Sequence, residues 1–378
     1  MRLEGVSRRF GGKTAVVRLD LTVNSGEVVC LLGPSGCGKS TTLRIAAGVE
    51  RQDGGSVLVS GRVVSDERRH APPEQRSLGL MFQDFALFPH LTALENVAFG
   101  LRDLSAAERR ARAERELARV GLAASAAAYP HQLSGGEQQR VALARAIAPK
   151  PSVLLMDEPF SSLDHRLRDA VRDEALSLLK EDGAGVLLVT HDPEEAMRMS
   201  DRIALMRDGR VVQSGAPYTV YNHPVDLRAA AFFSDVNVIH GVVRAQQTET
   251  PFGRFFAPGM KDGVQVEVIV RPQHLKIDIG PRAPRESAEA GAAARGRVVR
   301  ARFMGGHSLI ETLMEHDGSV LTALMPGAFL PEAGSPLWLS LRRDRCFLFP
   351  SAVQDAVAEP YFNRPSAESD VARSAPEG

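Results

Sequence analysis

The chain of 378 residues has little of several things, and each shortage removes a class of protein. Its three cysteines, Cys30, Cys37 and Cys346, are scattered, odd in number and without metal-ligand spacing. That argues against a disulfide scaffold or a cysteine-based zinc site and fits a reducing, cytosolic compartment. Neither sign of charge is in excess. With 46 basic and 46 acidic residues the net charge is +0, so the chain as a whole offers no field for nucleic acid or an anionic membrane surface. No apolar run approaches the ~18–20 residues that a membrane span requires. The opening Met1-Arg2-Leu3-Glu4-Gly5 mixes charges early and lacks the apolar core of a signal peptide. What remains is a chain with 44% hydrophobic residues, enough for well-packed cores, and a length that predicts two or three domains.

Apolar runs at residues 19–23, 27–32, 153–156 and 186–190 read as strands, and stretches at 40–47, 101–120 and 167–180 read as helices. The run at 27–32 is apolar almost throughout, as expected of a strand buried on both faces. Strands alternating with helices predict an α/β fold with a mostly parallel sheet. Ser105 and Glu108 form a Ser-x-x-Glu capping box at the start of the charged helix. Its arginines, Arg109, Arg110, Arg112, Arg115 and Arg119, are interleaved with Glu108, Glu114 and Glu116, which reads as a solvated helix face and not a nucleic-acid surface. After about residue 235 the texture changes to short β-type runs at 264–270, 297–303 and 338–341 without comparable helices. A small all-β, barrel-like domain is expected there. Residues 281–296 read as a flexible Ala/Gly/Arg/Pro-rich insertion, and 354–378 as a polar, disordered tail.

Gly33-Pro34-Ser35-Gly36-Cys37-Gly38-Lys39-Ser40 follows the second strand and opens a helix, which is the context a P-loop demands. Triphosphate oxygens need several donors at close range, and glycines let backbone amides turn inward with no side chain between. Lys39 is expected to reach the terminal phosphates, the Ser40 hydroxyl to coordinate Mg²⁺ and Thr41 to support the α-phosphate. The helix directs its positive end at the anion. Cys37 reads as a small loop residue and not a redox thiol, because no resolving cysteine accompanies it. Downstream, Val153-Leu154-Leu155-Met156-Asp157-Glu158 is an apolar strand ending in two carboxylates. Asp157 is placed to hold Mg²⁺ through water and Glu158 to polarise the attacking water, the two needs of in-line phosphoryl transfer.

Between them lies Leu133-Ser134-Gly135-Gly136-Glu137-Gln138-Gln139-Arg140. The Ser134 hydroxyl and the bare amides of Gly135 and Gly136 suit the phosphates of a nucleotide held by another copy of the protein. On these residues the chain resembles the ATP-binding subunits of ABC transporters over roughly its first two-thirds. The resemblance implies an α/β P-loop NTPase domain over residues 1–235 with a helical subdomain at about 84–150, then a small all-β, OB-like regulatory domain over 236–353. It implies two copies associated head to tail, each ATP clamped between Lys39 with its loop and the other copy's Ser134-Gly135-Gly136. Gln83 resembles the family's glutamine that senses Mg²⁺ and attacking water, His191 the histidine that contacts the γ-phosphate, and Phe10 the aromatic that stacks on adenine. Ser161-Ser162-Leu163-Asp164 resembles the loop through which the two sites communicate, with Ser162 a mild departure.

Gln83-Asp84-Phe85-Ala86-Leu87-Phe88-Pro89-His90-Leu91-Thr92 is aromatic-rich and resembles the groove that receives a helix of the membrane permease in solute importers. Arg271-Pro272-Gln273-His274-Leu275 resembles a phrase of the importers' regulatory domain, with Gln273 in place of a carboxylate. A homodimer is therefore expected at the cytoplasmic face of the cell membrane, engaging permease subunits and, indirectly, a solute-binding protein, with ATP and Mg²⁺ as cofactors. The wording is nearest to iron(III), polyamine, thiamine and aminophosphonate importers, and the cargo expectation leans to iron(III). A non-transport ABC ATPase acting on DNA or ribosomes is the competing class. Its usual long coiled coil, zinc cysteines or second head are missing from the sequence.

Overall fold

The computed structural model describes residues 1–161, 165–280, 282–284 and 291–351. The expectations for Ser162, Leu163, Asp164, the 354–378 tail and much of the 281–296 insertion lie outside these residues. The chain divides into two compact units, Met1–Asp235 and one that begins at Val236.

In the first unit the strands are β1 (Arg2–Phe10), β2 (Lys13–Thr22), β3 (Val28–Leu32), β4 (Gly54–Val59), β5 (Arg62–Ser65), β6 (Leu78–Met81), β7 (Val153–Asp157), β8 (Gly185–Thr190), β9 (Arg202–Arg207) and β10 (Arg210–Gly215). The helices are α1 (Lys39–Ala47), α2 (Ala93–Ala98), α3 (Ala106–Arg119), α4 (Gly135–Ile147), α5 (His165–Asp182), α6 (Pro193–Met199), α7 (Pro217–Asn222) and α8 (Leu227–Phe233). A six-stranded sheet runs β10-β9-β3-β8-β7-β6, parallel from β9 to β6. A separate antiparallel sheet runs β2-β1-β4-β5. Of these strands, β1, β4, β5, β6, β9 and β10 were not anticipated, because they are short, half-exposed or interrupted by polar residues and lack a long clean apolar run.

The apolar run of β3 is read by the fold on two faces. Val28, Cys30 and Leu32 enter one core with α2 to α6, while Val29 and Leu31 enter another with α1 and the antiparallel sheet. Successive side chains of a strand point to opposite faces, so a strand covered on both sides has no polar position to spare. The register Leu32↔Thr190, Asp157↔Val189 and Met81↔Met156 brings the carboxyl ends of β3, β8, β7 and β6 side by side. Helices α2, α3 and α4 pack on one another, and α1 packs on β2, β7 and β8.

The capping box of α3 is formed as expected, with Ser105 and Glu108 exchanging hydrogen bonds. One part of that helix departs from a fully solvated face. Glu116 is buried beneath Arg112 (3.1 Å) and Arg119 (2.8 Å), because the arginine stems cover it while their head groups neutralise it.

The second unit is all-β. Strands β11 (Asn237–Arg244), β12 (Gln247–Thr250), β13 (Gly253–Phe256), β14 (Gln265–Val270) and β20 (Cys346–Pro350) form one antiparallel sheet in the order β13-β12-β11-β14-β20. Strands β15 (Leu275–Asp278), β16 (Ala294–Phe303), β17 (His307–Met314), β18 (Val320–Pro326) and β19 (Pro336–Leu341) form the other, β15-β19-β16-β17-β18. Val268 and Val270 of the first sheet and Ile310, Leu321 and Leu339 of the second share one core, in keeping with the barrel-like β domain that the sequence predicts. Asn237 joins the sheets, accepting from Thr322 N–H at 2.7 Å and donating to its carbonyl at 2.9 Å.

Candidate functional site

The loop from Gly33 to Ser40 leaves the end of β3 and winds into α1. Two of its glycines are demanded by close packing. A Cβ on Gly33 would stand 2.1 Å from the Met206 carbonyl oxygen, and one on Gly38 2.2 Å from that of Ala15. Gly38 also sits at φ +109°, where side chains are rarely tolerated. Lys39 is 5% exposed and turns back over the loop, its Nζ donating to the carbonyls of Gly33 (2.7 Å) and Pro34 (2.9 Å). Thr42 Oγ1 ties the helix start to the Gly38 carbonyl at 2.9 Å. Ser35 and Gly36 are exposed, while Pro34, Ser40 and Thr41 are half-buried. Cys37 is buried, and that burial pushes its thiol above the usual value, which favours the packing reading of this residue.

Ser40 Oγ donates to Asp157 Oδ1 at 3.1 Å. Burial raises the Asp157 carboxyl above its ordinary value; the Ser40 hydrogen bond opposes this and the adjacent Glu158 adds to it. Glu158 stands at φ +44°, an uncommon conformation for a side chain other than glycine, with its N–H donating to the Val189 carbonyl at 2.8 Å. Its Oε1 lies 3.0 Å from His191 Nδ1. Gln83 stands two residues past the end of β6 and is exposed. Four sequence-predicted elements (the loop, Gln83, the Asp157–Glu158 pair and His191) thus emerge from four adjacent strand ends, the position where parallel sheets bind ligands.

Ser134 is the N-cap of α4. Its Oγ donates to Glu137 Oε2 at 2.7 Å, and Glu137 also accepts from Ser134 N–H at 2.9 Å. The spacing Ser134-x-x-Glu137 is that of Ser105-x-x-Glu108, so this second capping box was legible in the sequence and was missed. Ser134 and Gly135 are exposed, and α4 belongs to the helical layer that excludes α1 among its main neighbours. Neither Gly135 nor Gly136 has positive φ, and a Cβ on either would meet nothing within 4 Å. Phe10 is 45% exposed at the β1–β2 hairpin, with the Arg8 guanidinium 4.6 Å over its ring.

Supporting residues are largely invisible to sequence reading. His191 is followed by a network in which Thr190 bonds Glu195, Asp192 caps α6 and Arg172 reaches Asp192 at 3.3 Å. Arg172 also lies 5.8 Å over Phe160, two residues beyond Glu158. In the second unit, Arg271 is buried beside Phe347, and burial lowers the pKa of His274.

The donor set suits a nucleotide triphosphate. A loop in which Gly33 and Gly38 leave no room for a Cβ lies at a helix N-terminus beside a buried ammonium. Ser40, Gln83 and Asp157 offer only hard oxygen donors, the kind Mg²⁺ prefers. Among the described residues there is no cluster of three or more His, Cys, Asp or Glu side chains that could hold a metal ion. No helix among the described residues is long and apolar enough to cross a membrane.

Comparison with known proteins agrees with this geometry. The ABC transporter family model matches residues 16–161, and the TOBE domain model matches 268–349. The spermidine/putrescine import ATP-binding protein PotA of Escherichia coli is 42% identical over 289 residues, 74% of this chain and 75% of its own length. That of Photobacterium profundum is 42% identical over 292 residues, 74% of this chain and 77% of its own length. Among solved structures, the dimeric ATP-binding cassette MJ0796 in a post-hydrolysis state with ADP and Pi is 35% identical at a TM-score of 0.51, covering 57% of this chain and 98% of that one. These relatives correct the lean toward iron(III), which none of their names supports. The ATPase never touches the cargo in the expected mechanism, so its motifs could not discriminate between solutes. The chain belongs to the family of ATP-binding, ATP-hydrolysing subunits of ABC importers that carry a C-terminal regulatory domain.

Proposed function

We propose that two copies of this chain bind and hydrolyse Mg-ATP at shared sites and so drive uptake of a polyamine through separate permease subunits at the cytoplasmic face of the cell membrane. The observation that carries the enzymatic reading is the Glu158–His191 contact of 3.0 Å beside the Ser40–Asp157 contact of 3.1 Å. In this reading Glu158 takes the proton of the attacking water, and His191 holds its carboxylate in place while facing the γ-phosphate. Ser40, Asp157 and Gln83 would hold Mg²⁺, which supplies charge neutralisation on the phosphate oxygens. Lys39 exchanges its bonds to Gly33 and Pro34 for phosphate oxygens on binding. Its ammonium is already within the loop, so little reorganisation is required. Phe10 is exposed as an adenine platform has to be, and Arg8 over its ring would have to yield.

The shared site is supported by Gly135 and Gly136. At the first turn of a helix with open space around both, alanine would be better by ~0.5–1 kcal/mol each. The fold of one copy gives no reason for glycine there, whereas close approach of another copy's phosphates does. The dimeric cassette among the similar structures favours the same arrangement. The polyamine cargo is supported by the names of the 42% identical relatives, which are spermidine/putrescine import proteins.

Two measurements test this. Glu158→Gln in the full chain should retain ATP binding, lose turnover and accumulate as an ATP-dependent dimer in light scattering. Wild-type turnover by that variant would remove Glu158 as the base. Deletion of the gene should abolish uptake of labelled spermidine or putrescine; unchanged polyamine uptake with loss of another solute would reassign the cargo.

A further inference from the structure

Arg145 lies on α4 and has no part in the mechanism above. Its Nη1 donates to the Ala86 carbonyl at 2.6 Å and its Nη2 to the Phe85 carbonyl at 2.7 Å. Both recipients have left-handed backbone, Phe85 at φ +60° and Ala86 at φ +45°. Consecutive residues other than glycine in that region persist only where their surroundings over-determine them, and such strain gathers at working sites. The turn they close is the one that carries Gln83. Phe85 N–H donates to the Phe82 carbonyl at 3.1 Å, which makes Gln83 and Asp84 its two central residues, and Ala86 N–H donates to the Asp84 carbonyl at 2.7 Å.

The choice of side chain is informative. Burial lowers the pKa of Arg145, and Asp84 partly offsets this, so placing a guanidinium here carries a desolvation cost. Arginine's planar fork can hold two successive carbonyls in one fixed geometry, which a lysine ammonium cannot. The same guanidinium lies 5.8 Å from the Phe88 ring, whose backbone Asn96 holds by donating to its carbonyl at 3.1 Å and accepting from its N–H at 2.8 Å. One residue of the helix that Ser134 begins thereby reaches both the Gln83 turn and the aromatic segment beyond it.

We propose that Arg145 is a positioning residue for hydrolysis: by gripping the Phe85 and Ala86 carbonyls from α4, it sets the turn that presents Gln83 at the strand ends and makes that turn move with the Ser134 end of the helix. The proposal rests on the reading of Gln83 as part of the ATP site. It predicts that Arg145 acts through Gln83 and through nothing else in the reaction.

The test is a double-mutant cycle on the full chain with Arg145→Ala, Gln83→Ala and the pair, read as kcat at saturating Mg-ATP. Each single change should lower kcat by roughly ten- to a hundredfold, the scale of a misplaced catalytic group, and the pair should be no slower than Gln83→Ala alone. Independently of turnover, Arg145→Ala should speed amide exchange at residues 84–88 by at least about tenfold and leave the amides of α4 unchanged. Arg145→Lys, which retains the charge without the fork, should fall between wild type and Arg145→Ala, and it takes the place of Arg145→Ala in the cycle if the latter does not fold. Additive losses, a Gln83→Ala variant of wild-type rate, or unchanged exchange at 84–88 would each overturn the proposal. Glu158→Gln in the same assay separates the two levels. If it turns over ATP normally, the site reading fails and this inference falls with it; if it is inactive while the cycle is additive, only the role of Arg145 falls.

Discussion

Gly38→Ala is the sharpest probe of the phosphate loop, because its cost divides into two parts that a neighbouring glycine separates. At φ +109° an alanine carries backbone strain on the order of 1–3 kcal/mol. Its Cβ would also stand 2.2 Å from the Ala15 carbonyl oxygen and 2.8 Å from Met206 Cε. The methionine end can swing away, but the carbonyl belongs to β2, so the loop or the strand has to shift, at roughly 1–3 kcal/mol for overpacking. The sum is about 2–6 kcal/mol, a large part of the ~5–15 kcal/mol that holds a domain. Gly36 is the control. It lies at φ +78° with nothing within 4 Å of a built Cβ, so Gly36→Ala bears only strain, about 1–2 kcal/mol. Urea unfolding without nucleotide, followed by circular dichroism at 222 nm, reads the first unit, since every α-helix among the described residues lies within residues 39–233. With a slope of ~3 kcal/mol per molar, the steric part should lower the Gly38→Ala midpoint ~0.3–1 M below that of Gly36→Ala. A shift no larger than that of Gly36→Ala would refute the claim that packing against β2, and not backbone freedom alone, demands this glycine.

Gly136→Ala should raise the thermal midpoint slightly, by the ~0.5–1 kcal/mol that alanine gains over glycine in a helix, and should abolish most ATP turnover; wild-type turnover would sever the link between this position and the shared site. Asn96→Ala should cost about 2–4 kcal/mol in urea unfolding, because the buried amide serves Phe88, Leu91 and Thr92 and its loss strands their polar groups; a cost below ~1 kcal/mol would mean that water replaces it. Asp157 has a raised carboxyl pKa in the folded chain, so the native state binds more protons than the unfolded state, and stability falls as pH rises from the unfolded value of 3.8 through the raised folded one. Asp157→Asn should therefore melt higher than wild type at neutral pH without Mg²⁺, with the difference closing below about pH 4, whereas equal melting at neutral pH would contradict the burial argument.

Local elements were legible because their causes are local. The P-loop needs glycines at set spacings and a strand before it, and 33–40 state both. The capping box of α3 needs only Ser105 and Glu108 three apart. The β3 and β8 runs are apolar without alternation because both faces are covered, and together with the helices between strands they predict a parallel central sheet. Harder to see were β1, β4 and β5, which are charged or glycine-rich and whose identity depends on pairing with one another. The burial of Glu116 was hidden for a related reason: a glutamate among arginines reads as solvated until the packing shows which stems cover it.

The sequence by itself determined the chemistry. Lys39, Ser40, Asp157, Glu158 and the Ser134-Gly135-Gly136 element are each recognisable from residue type and spacing, since donors, carboxylates and bare amides carry their chemistry wherever the chain goes. Only the tertiary structure decided that Lys39, Ser40, Asp157 and Glu158 converge in one copy, while Ser134-Gly135-Gly136 stands apart on α4. Strand order β3-β8-β7-β6 is not chain order, and it is the parallel register that sets Gln83, Glu158 and His191 beside the phosphate loop. Arg145 makes the same point across 60 residues: its partners are backbone carbonyls, which have no sequence signature, in a strained turn that only the packed helix reveals.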